Sequence, residues 1–261
     1  MSDQAAIHPP QTAVPLGPQP QTAPQGGGSG LLWNLISTAL LAGWLAWRMG
    51  WVWALAGVVG VFVHEYGHVL AMNALGCGPA RIRIVPFLGG AAVPGRPPAT
   101  EFKGVLIAVA GPVFGLIAMA PFFLAYFATG GQAWLGGAFF IAAINLLNLA
   151  PAPPLDGSKA IGPVLARIHP WLERGALVLV GALAVLWAMR TNNYILALFI
   201  GLGVFGVVSR GRVRPWAIPL NGGQWLASLA LYAVALLLCF GALQFTLNGG
   251  GLSALLRLVG G

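Results

Sequence analysis

The sequence predicts an all-α, polytopic membrane protein of about seven transmembrane helices with a short membrane-associated β-hairpin. Of its 261 residues, 58% are hydrophobic and only 7% are charged, whereas a soluble domain carries roughly 25% charged residues. The apolar residues gather into runs that are long enough to cross or nearly cross a bilayer. The composition therefore excludes an ordinary soluble domain.

The first thirty residues differ from the rest of the chain. They contain six prolines and end in a Gly/Ser-rich run at 26–30. Such a segment buries too little apolar surface to order itself, so we expect a disordered tail. It has no basic residue and no apolar core, and we therefore do not interpret it as a secretory signal. Residues 31–261 are expected to form the transmembrane domain.

The predicted spans follow from the apolar runs and their interruptions. A Gly111-Pro112 pair interrupts the third run. Prolines at 151, 153 and 154 end the fourth, because proline lacks an N–H and clashes with the preceding turn. A short amphipathic segment at 156–168 comes next. The seven predicted spans are 31–47, 51–75, 105–128, 134–150, 172–189, 194–209 and 224–247.

The basic residues predict the orientation. The net charge of +8 comes from 13 Lys and Arg against 5 acids. The basic residues lie between apolar runs and not on one polar face, so no nucleic-acid partner is expected. With the N-terminus in the cytoplasm, ten face inward and three outward, as the positive-inside rule favours. We therefore expect a multi-pass protein of the cell (inner) membrane with its C-terminus on the opposite side. The ten are Arg81, Arg83, Arg96, Lys103, Lys159, Arg167, Arg174, Arg210, Arg212 and Arg214, and the three are Arg48, Arg190 and Arg257.

One predicted span contains His64-Glu65-Tyr66-Gly67-His68. Ionisable groups at membrane depth are costly and usually functional. Residues four apart share one helix face. This HExxH spacing is typical of two zinc-binding histidines with the glutamate as general base. The alternative is a pair of packed histidines that hydrogen-bond to neighbouring groups.

A catalytic zinc site takes three protein ligands and leaves one position open. Asp156 is the candidate third ligand because it follows the proline break beside apolar sequence. Its alternative role is to cap the helix that starts near Gly157. His169 and His8 are weaker candidates, since the first lies near an interface and the second in the tail.

The two motifs together resemble the site-2 protease family of intramembrane zinc metalloproteases. His64 to His68 match HExxH, and residues 148–157, Asn-Leu-Ala-Pro-Ala-Pro-Pro-Leu-Asp-Gly, match NxxPxPxLDG. The resemblance covers about 51–168, the expected catalytic core. It implies one Zn²⁺ per chain on His64, His68 and Asp156, with Glu65 as catalytic base. It also implies that Asn148 supports the site or binds the substrate backbone.

Two smaller features bear on the resemblance. Gly111-Pro112 resembles the small-residue segment of the family's third helix. Many relatives follow the LDG sequence with Gly and then Arg or His, whereas this chain has Ser158-Lys159. The difference affects the surroundings of the site but leaves the three ligands in place. The resemblance describes a compact form without a PDZ or CBS domain.

Residues 80–93 predict a short hairpin. The sequence alternates at 81–84 and has a turn signal at Gly89-Gly90. Similar hairpins occur in the family at this place. An open strand edge can pair with an extended peptide, so the predicted substrate-binding residues are Asn148 together with Ile84, Val85, Phe87, Gly89 and Gly90. The alternative is an ordinary basic loop.

These observations predict an intramembrane protease that cuts a peptide bond within or near a transmembrane segment. The expected partners are the lipid bilayer, a single-span membrane-protein substrate and a separate regulatory membrane protein. A zinc or proton transporter would also use buried His and Asp but does not need Glu65 between the histidines. A non-catalytic relative that binds membrane helices could dispense with all four site residues.

Overall fold

A computed structural model describes residues 29–85, 89–209 and 217–249. Within these residues the chain forms nine helices and one two-stranded hairpin. The predicted fold class, all-α with a hairpin, is confirmed. The helices are α1 Ser29–Met49, α2 Trp51–Ala74, α3 Glu101–Ile117, α4 Ala120–Thr129, α5 Gln132–Asn148, α6 Asp156–Ile168, α7 Pro170–Arg190, α8 Tyr194–Ser209 and α9 Gly222–Asn248, and the strands are β1 Arg81–Val85 and β2 Gly89–Val93.

Four helical stretches of the described chain are long and apolar enough to cross a membrane. They are Trp51–Ala74, Glu101–Thr129, Pro170–Arg190 and Gly222–Asn248. The second of these consists of α3 and α4, which meet at residues 118–119, so the third predicted span is two helices in succession. Helix α5 is apolar but shorter. The chain is a membrane protein, and the count of seven spans stays a prediction.

Local sequence signals set several helix ends. Thr100 precedes α3, and its side chain accepts a hydrogen bond from the Lys103 N–H. Asn221 and Gln224 form a reciprocal capping box at the start of α9, which satisfies two backbone donors that a helix start leaves open. Helix α4 ends at Gly130 in the left-handed conformation, φ +66°, which glycine adopts without a Cβ penalty. These signals explain where α3 and α9 begin and where α4 ends.

The hairpin is antiparallel, with Ile82 opposite Ala92 and Ile84 opposite Gly90. The predicted turn at Gly89-Gly90 is wrong, because both residues belong to β2; residues 86–88, which connect the strands, lie outside the described residues. Glycine inside a strand often marks a close approach of another group. Here that group is Glu65, since a Cβ on Gly90 would lie 2.5 Å from Glu65 Cγ.

Helices α2, α3 and α5 pack closely around the site. Gly67 of α2 lies against Phe114 and the Ala110 carbonyl of α3, where an added Cβ would come within 2.8 Å of that oxygen. Gly60 of α2 lies in the same way against Ile141 of α5. Membrane helices gain little from the hydrophobic effect among themselves, so small residues that permit close packing carry much of their association. This packing fixes the face of α2 that bears the histidines.

A non-helical segment at 149–155 separates α5 from α6. Leu149 is fully buried, and its carbonyl accepts a hydrogen bond of 2.7 Å from the Tyr232 hydroxyl of α9. Gly157 packs directly on the Leu149 and Ala150 carbonyls, where a Cβ would overlap them. Irregular backbone at membrane depth is tolerated only where protein or a wet cavity covers it. Leu149, Ala152 and Pro153 of the segment are buried in protein, and the segment turns Asp156 towards the histidines of α2.

Candidate metal centre and active site

The two histidines of the HExxH motif face the interior of the bundle. His64 and His68 are 3% and 5% exposed. Their rings lie 4.8 Å apart at 85° to each other, and their Nε2 atoms are 3.1 Å apart. The helical spacing thus brings one nitrogen of each ring to the same point.

Asp156 completes this arrangement from the start of α6. Its Oδ2 lies 3.1 Å from His64 Nε2 and 3.0 Å from His68 Nε2. The other oxygen, Oδ1, accepts a hydrogen bond of 3.1 Å from Lys159 Nζ. The capping alternative is not borne out, because Leu155 occupies the N-cap position and no side chain caps the helix.

The carboxyl group of Asp156 is held in its ionised form. Burial alone would raise the pKa of Asp156, but the close contacts with His64 and His68 outweigh burial and hold the pKa well below its ordinary value. Lys159 acts in the same direction. An ionised carboxylate presents lone pairs and no proton, as a metal ligand must.

The outer nitrogen of each histidine has its own acceptor. His64 Nδ1 lies 2.8 Å from Asn145 Oδ1, and His68 Nδ1 lies 2.7 Å from the Ile107 carbonyl. Neither oxygen can donate, so each Nδ1 carries a proton. A metal binds the neutral ring, in which both Nε2 atoms are unprotonated and point with Asp156 Oδ2 to one position. A cation at the point where these three lone pairs converge would accept all of them as ligands.

The donor set fits zinc. The three ligand atoms lie within 4.8 Å of one another, and their shortest separations are the three contacts of 3.0 to 3.1 Å. Tetrahedral zinc with bonds of about 2.0–2.1 Å separates its ligands by about 3.3 Å. Two imidazoles and a carboxylate leave a fourth position open, the pattern of catalytic zinc sites. The predicted cofactor therefore matches the geometry of these residues.

Glu65 lies beside the three ligands but contributes none of the converging atoms. It is 8% exposed, and its Oε2 accepts a hydrogen bond of 2.6 Å from the Ala92 N–H of β2. The hairpin is therefore attached to the carboxylate of the HExxH motif. Since paired and outward-facing positions alternate along an antiparallel strand, Ala92 and Gly90 face outward from β2 on the side of Glu65.

A cavity of about 230 Å³ opens next to the metal ligands. His68, Asp156 and Lys159 line one part of it, and the start of α3 near Glu101 lines another. Most of the remaining lining is apolar and includes Met72 of α2. The cavity connects the converging lone pairs with the side of the bundle on which the hairpin lies.

The structure does not place every predicted residue at the centre. The Asn148 amide donates back to the Ile144 carbonyl of its own helix, at 3.2 Å, so its predicted role stays a prediction. Asn145, which is fully buried and contacts His64, was not among the predicted residues. A second polar residue in the apolar run of α5 was the available signal, because polar side chains at membrane depth are usually functional.

The remaining predicted residues are the hairpin residues and the two weaker histidine candidates. Ile84, Val85, Gly89 and Gly90 lie in the paired strands, and Phe87 lies outside the described residues. Their substrate-binding role stays a prediction. Of the weaker histidine candidates, His169 accepts a hydrogen bond from the Trp171 N–H at the start of α7. His8 lies outside the described residues.

Fold and site together define a membrane protein with a group of three residues inside its helix bundle that could hold a metal ion. Residues 35–155 match the Peptidase M50B-like family. The match covers a little under half of the chain, and it agrees with the resemblance that the two motifs show to the site-2 protease family. The matched region includes both histidines and Glu65 and ends one residue before Asp156.

Two curated relatives show the same similarity. Rip3 of Mycobacterium tuberculosis, named as a candidate zinc metalloprotease, is 27% identical over 199 residues, which cover 72% of this chain and 46% of Rip3. The protein sll0528 of Synechocystis sp., named in the same way, is 31% identical over 147 residues, which cover 53% of this chain and 38% of that protein. The aligned part is thus less than half of each relative. No solved structure matches the chain.

Proposed function

We propose that this protein is an intramembrane zinc metalloprotease that hydrolyses a peptide bond within or near the transmembrane segment of another membrane protein. The observation that carries the proposal is the convergence of three lone pairs from His64, His68 and Asp156, each 3.0–3.1 Å from the others, beside the Glu65 carboxylate. The names of the two relatives support the same chemistry. A transporter could use the three ligands, but it would not require Glu65 beside them.

A zinc ion held by His64, His68 and Asp156 would supply a water with a pKa lowered to about 7 and a positive charge for the scissile carbonyl. Glu65 acts as the general base that accepts the proton of the attacking water and then delivers it to the leaving amine. The hydrogen bond from Ala92 already orients one oxygen of that carboxylate. The other oxygen is available for the proton transfer.

The position of the site supports cleavage at membrane depth. The ligands come from α2, which is long and apolar enough to cross a membrane, and from the end of the proline break between α5 and α6. The cavity beside His68 and Asp156 gives room for water and for an extended stretch of substrate. A helical substrate hides its peptide bonds, so it must unwind locally before attack.

The hairpin is the proposed binding element for the unwound substrate. Strand addition supplies main-chain hydrogen bonds to an extended peptide. The outward edge of β2 carries Gly90 and Ala92 beside Glu65, so a peptide along this edge would lie next to the base. Such a substrate would compete with Glu65 for the Ala92 N–H. The proposed substrate is a single-span membrane protein whose span contains small or polar residues that ease unwinding.

The test is zinc content and cleavage measured on the same purified, liposome-reconstituted variants. Glu65→Gln should retain zinc and lose about 10²- to 10⁴-fold in cleavage rate, the usual contribution of a general base. Asp156→Ala and His68→Ala should lose both zinc and cleavage. Tyr66→Phe is the matched control, since this half-exposed side chain belongs to the same motif but is not one of the converging residues. Near wild-type cleavage by Glu65→Gln would overturn the mechanism.

A further inference from the structure

We propose that Asn145 is a positioning residue that fixes the proton of His64 on Nδ1 and so keeps Nε2 available as a metal ligand. The inference rests on the proposed function, because it concerns the metal held by His64, His68 and Asp156. The two residues come from different helices, α5 and α2, and both are buried, at 0% and 3% exposure. Their side chains meet at 2.8 Å.

The orientation of the Asn145 amide follows from its second contact. Its Nδ2 donates to the Ile141 carbonyl at 2.8 Å. A carbonyl only accepts, so the nitrogen must be on that side and Oδ1 must be on the side of His64. The imidazole therefore has to donate from Nδ1. This hydrogen bond specifies both the tautomer and the rotation of the ring.

Helix α3 holds the amide in place. Gly115 lies directly against it, because an added Cβ would be 2.5 Å from Asn145 Cγ and Nδ2 and would overlap Oδ1. The amide is thus enclosed by His64, by its own helix and by α3. Because the contact with the Ile141 carbonyl sets which end of the amide faces His64, the Nδ1–H form of His64 is the one that this environment accepts.

Asn148 provides a matched comparison within the same helix. Both asparagines donate to the carbonyl four residues earlier, at 2.8 Å for Asn145 and 3.2 Å for Asn148. Of these two described residues, only Asn145 contacts His64. Leucine has nearly the shape of asparagine but cannot accept a hydrogen bond, so replacing each residue by leucine separates the His64 contact from the bond that both residues make with their helix.

The experiment measures zinc affinity by competition with a chelator on purified protein, with thermal unfolding recorded in parallel. Asn145→Leu should weaken zinc binding by roughly 10- to 100-fold, the usual effect of removing a group that orients a metal ligand. Asn148→Leu should leave zinc affinity unchanged. Asn145→Asp should restore most of the affinity, because a protonated carboxyl can donate to Ile141 and accept from His64.

A second pair of variants covers the case in which Asn145→Leu does not fold. Gly115→Ala should weaken zinc binding about 10-fold by displacing the amide, whereas the same change in an Asn145→Ala background should have no further effect. Zinc affinity that stays at the wild-type level in folded Asn145→Leu, or in Gly115→Ala, would overturn the inference and leave the proposed protease intact. A wild-type protein that binds no zinc would overturn both.

Discussion

Gly111→Ala adds a single methyl group at the point where the metal ligands meet. Gly111 lies in α3, and a Cβ there would be 2.9 Å from His64 Nε2 and would overlap Nε2 and Cε1 of His68. Both affected nitrogens are proposed zinc ligands. The substitution therefore tests the metal site without removing any ligand, any charge or any hydrogen-bonding group.

The magnitude follows from these distances. Ordinary van der Waals contact begins near 3.4 Å, so the His64 nitrogen, at 2.9 Å, must retreat by about 0.5 Å. His68 must move further. Ligand distances in a working metal site hold to about 0.2 Å, so both rings would leave their positions. We expect zinc affinity to fall by at least about 100-fold, which corresponds to about 2.7 kcal/mol.

The assay is chelator competition for zinc, with Gly104→Ala as the control. Gly104 belongs to the same helix, and the nearest atom to its added Cβ would be Pro98 Cγ at 3.8 Å, an ordinary contact. Alanine is better than glycine in a helix interior by about 1 kcal/mol, so neither variant should lose helix stability. Gly104→Ala should keep wild-type zinc affinity. Wild-type affinity in Gly111→Ala would refute this account of the centre.

Three further predictions concern the metal, the topology and the hairpin. Removal of metal with a strong chelator should abolish cleavage, and added Zn²⁺ should restore it; activity that persists in metal-free protein would contradict the zinc site. Cysteine labelling should find the tail before residue 31 and Arg96 on the cytoplasmic side and Gly261 on the other, because ten of the 13 basic residues then face inward; both termini on one side would mean that one predicted span does not exist. Ile84→Pro should weaken cleavage with zinc retained, because proline constrains the backbone of β1 and so disturbs the β2 strand that is paired with it. The wild-type protein should prefer a helix-destabilised substrate to a poly-leucine one; equal cleavage of both substrates would contradict unwinding.

The ligands could be predicted from the sequence because their chemistry leaves a pattern. His64 and His68 are four residues apart, which places them on one helix face, and Glu65 lies between them. Asp156 follows a proline break in an apolar chain. The hairpin was predictable from alternation, but its turn was misplaced. A glycine in the sequence can indicate a turn or a place where another group packs closely on the backbone. The neighbouring residues do not show which of the two applies. The contact that decides it, Gly90 against Glu65, joins distant parts of the chain.

The groups that orient the ligands were not predictable in the same way. The partner of His68 is the backbone carbonyl of Ile107, and a carbonyl has no sequence signature because every residue carries one. The partner of His64 is a side chain, Asn145, yet Asn148 is equally polar and lies inside the recognised motif. Only the packing of α5 against α2 shows which of the two asparagines reaches the histidine.

Helix α3 has no ligand, yet it shapes the whole centre. Gly111 and Gly115 are four residues apart and so lie on one face of that helix. The rings of both α2 histidines pack against Gly111, and the Asn145 amide of α5 packs against Gly115. A small-residue spacing of this kind is usually read as a surface for helix association in membranes. Here the space above the two glycines is filled by the metal ligands and by the residue that orients one of them. The spacing therefore belongs to the chemistry of the site as much as to the packing of the bundle.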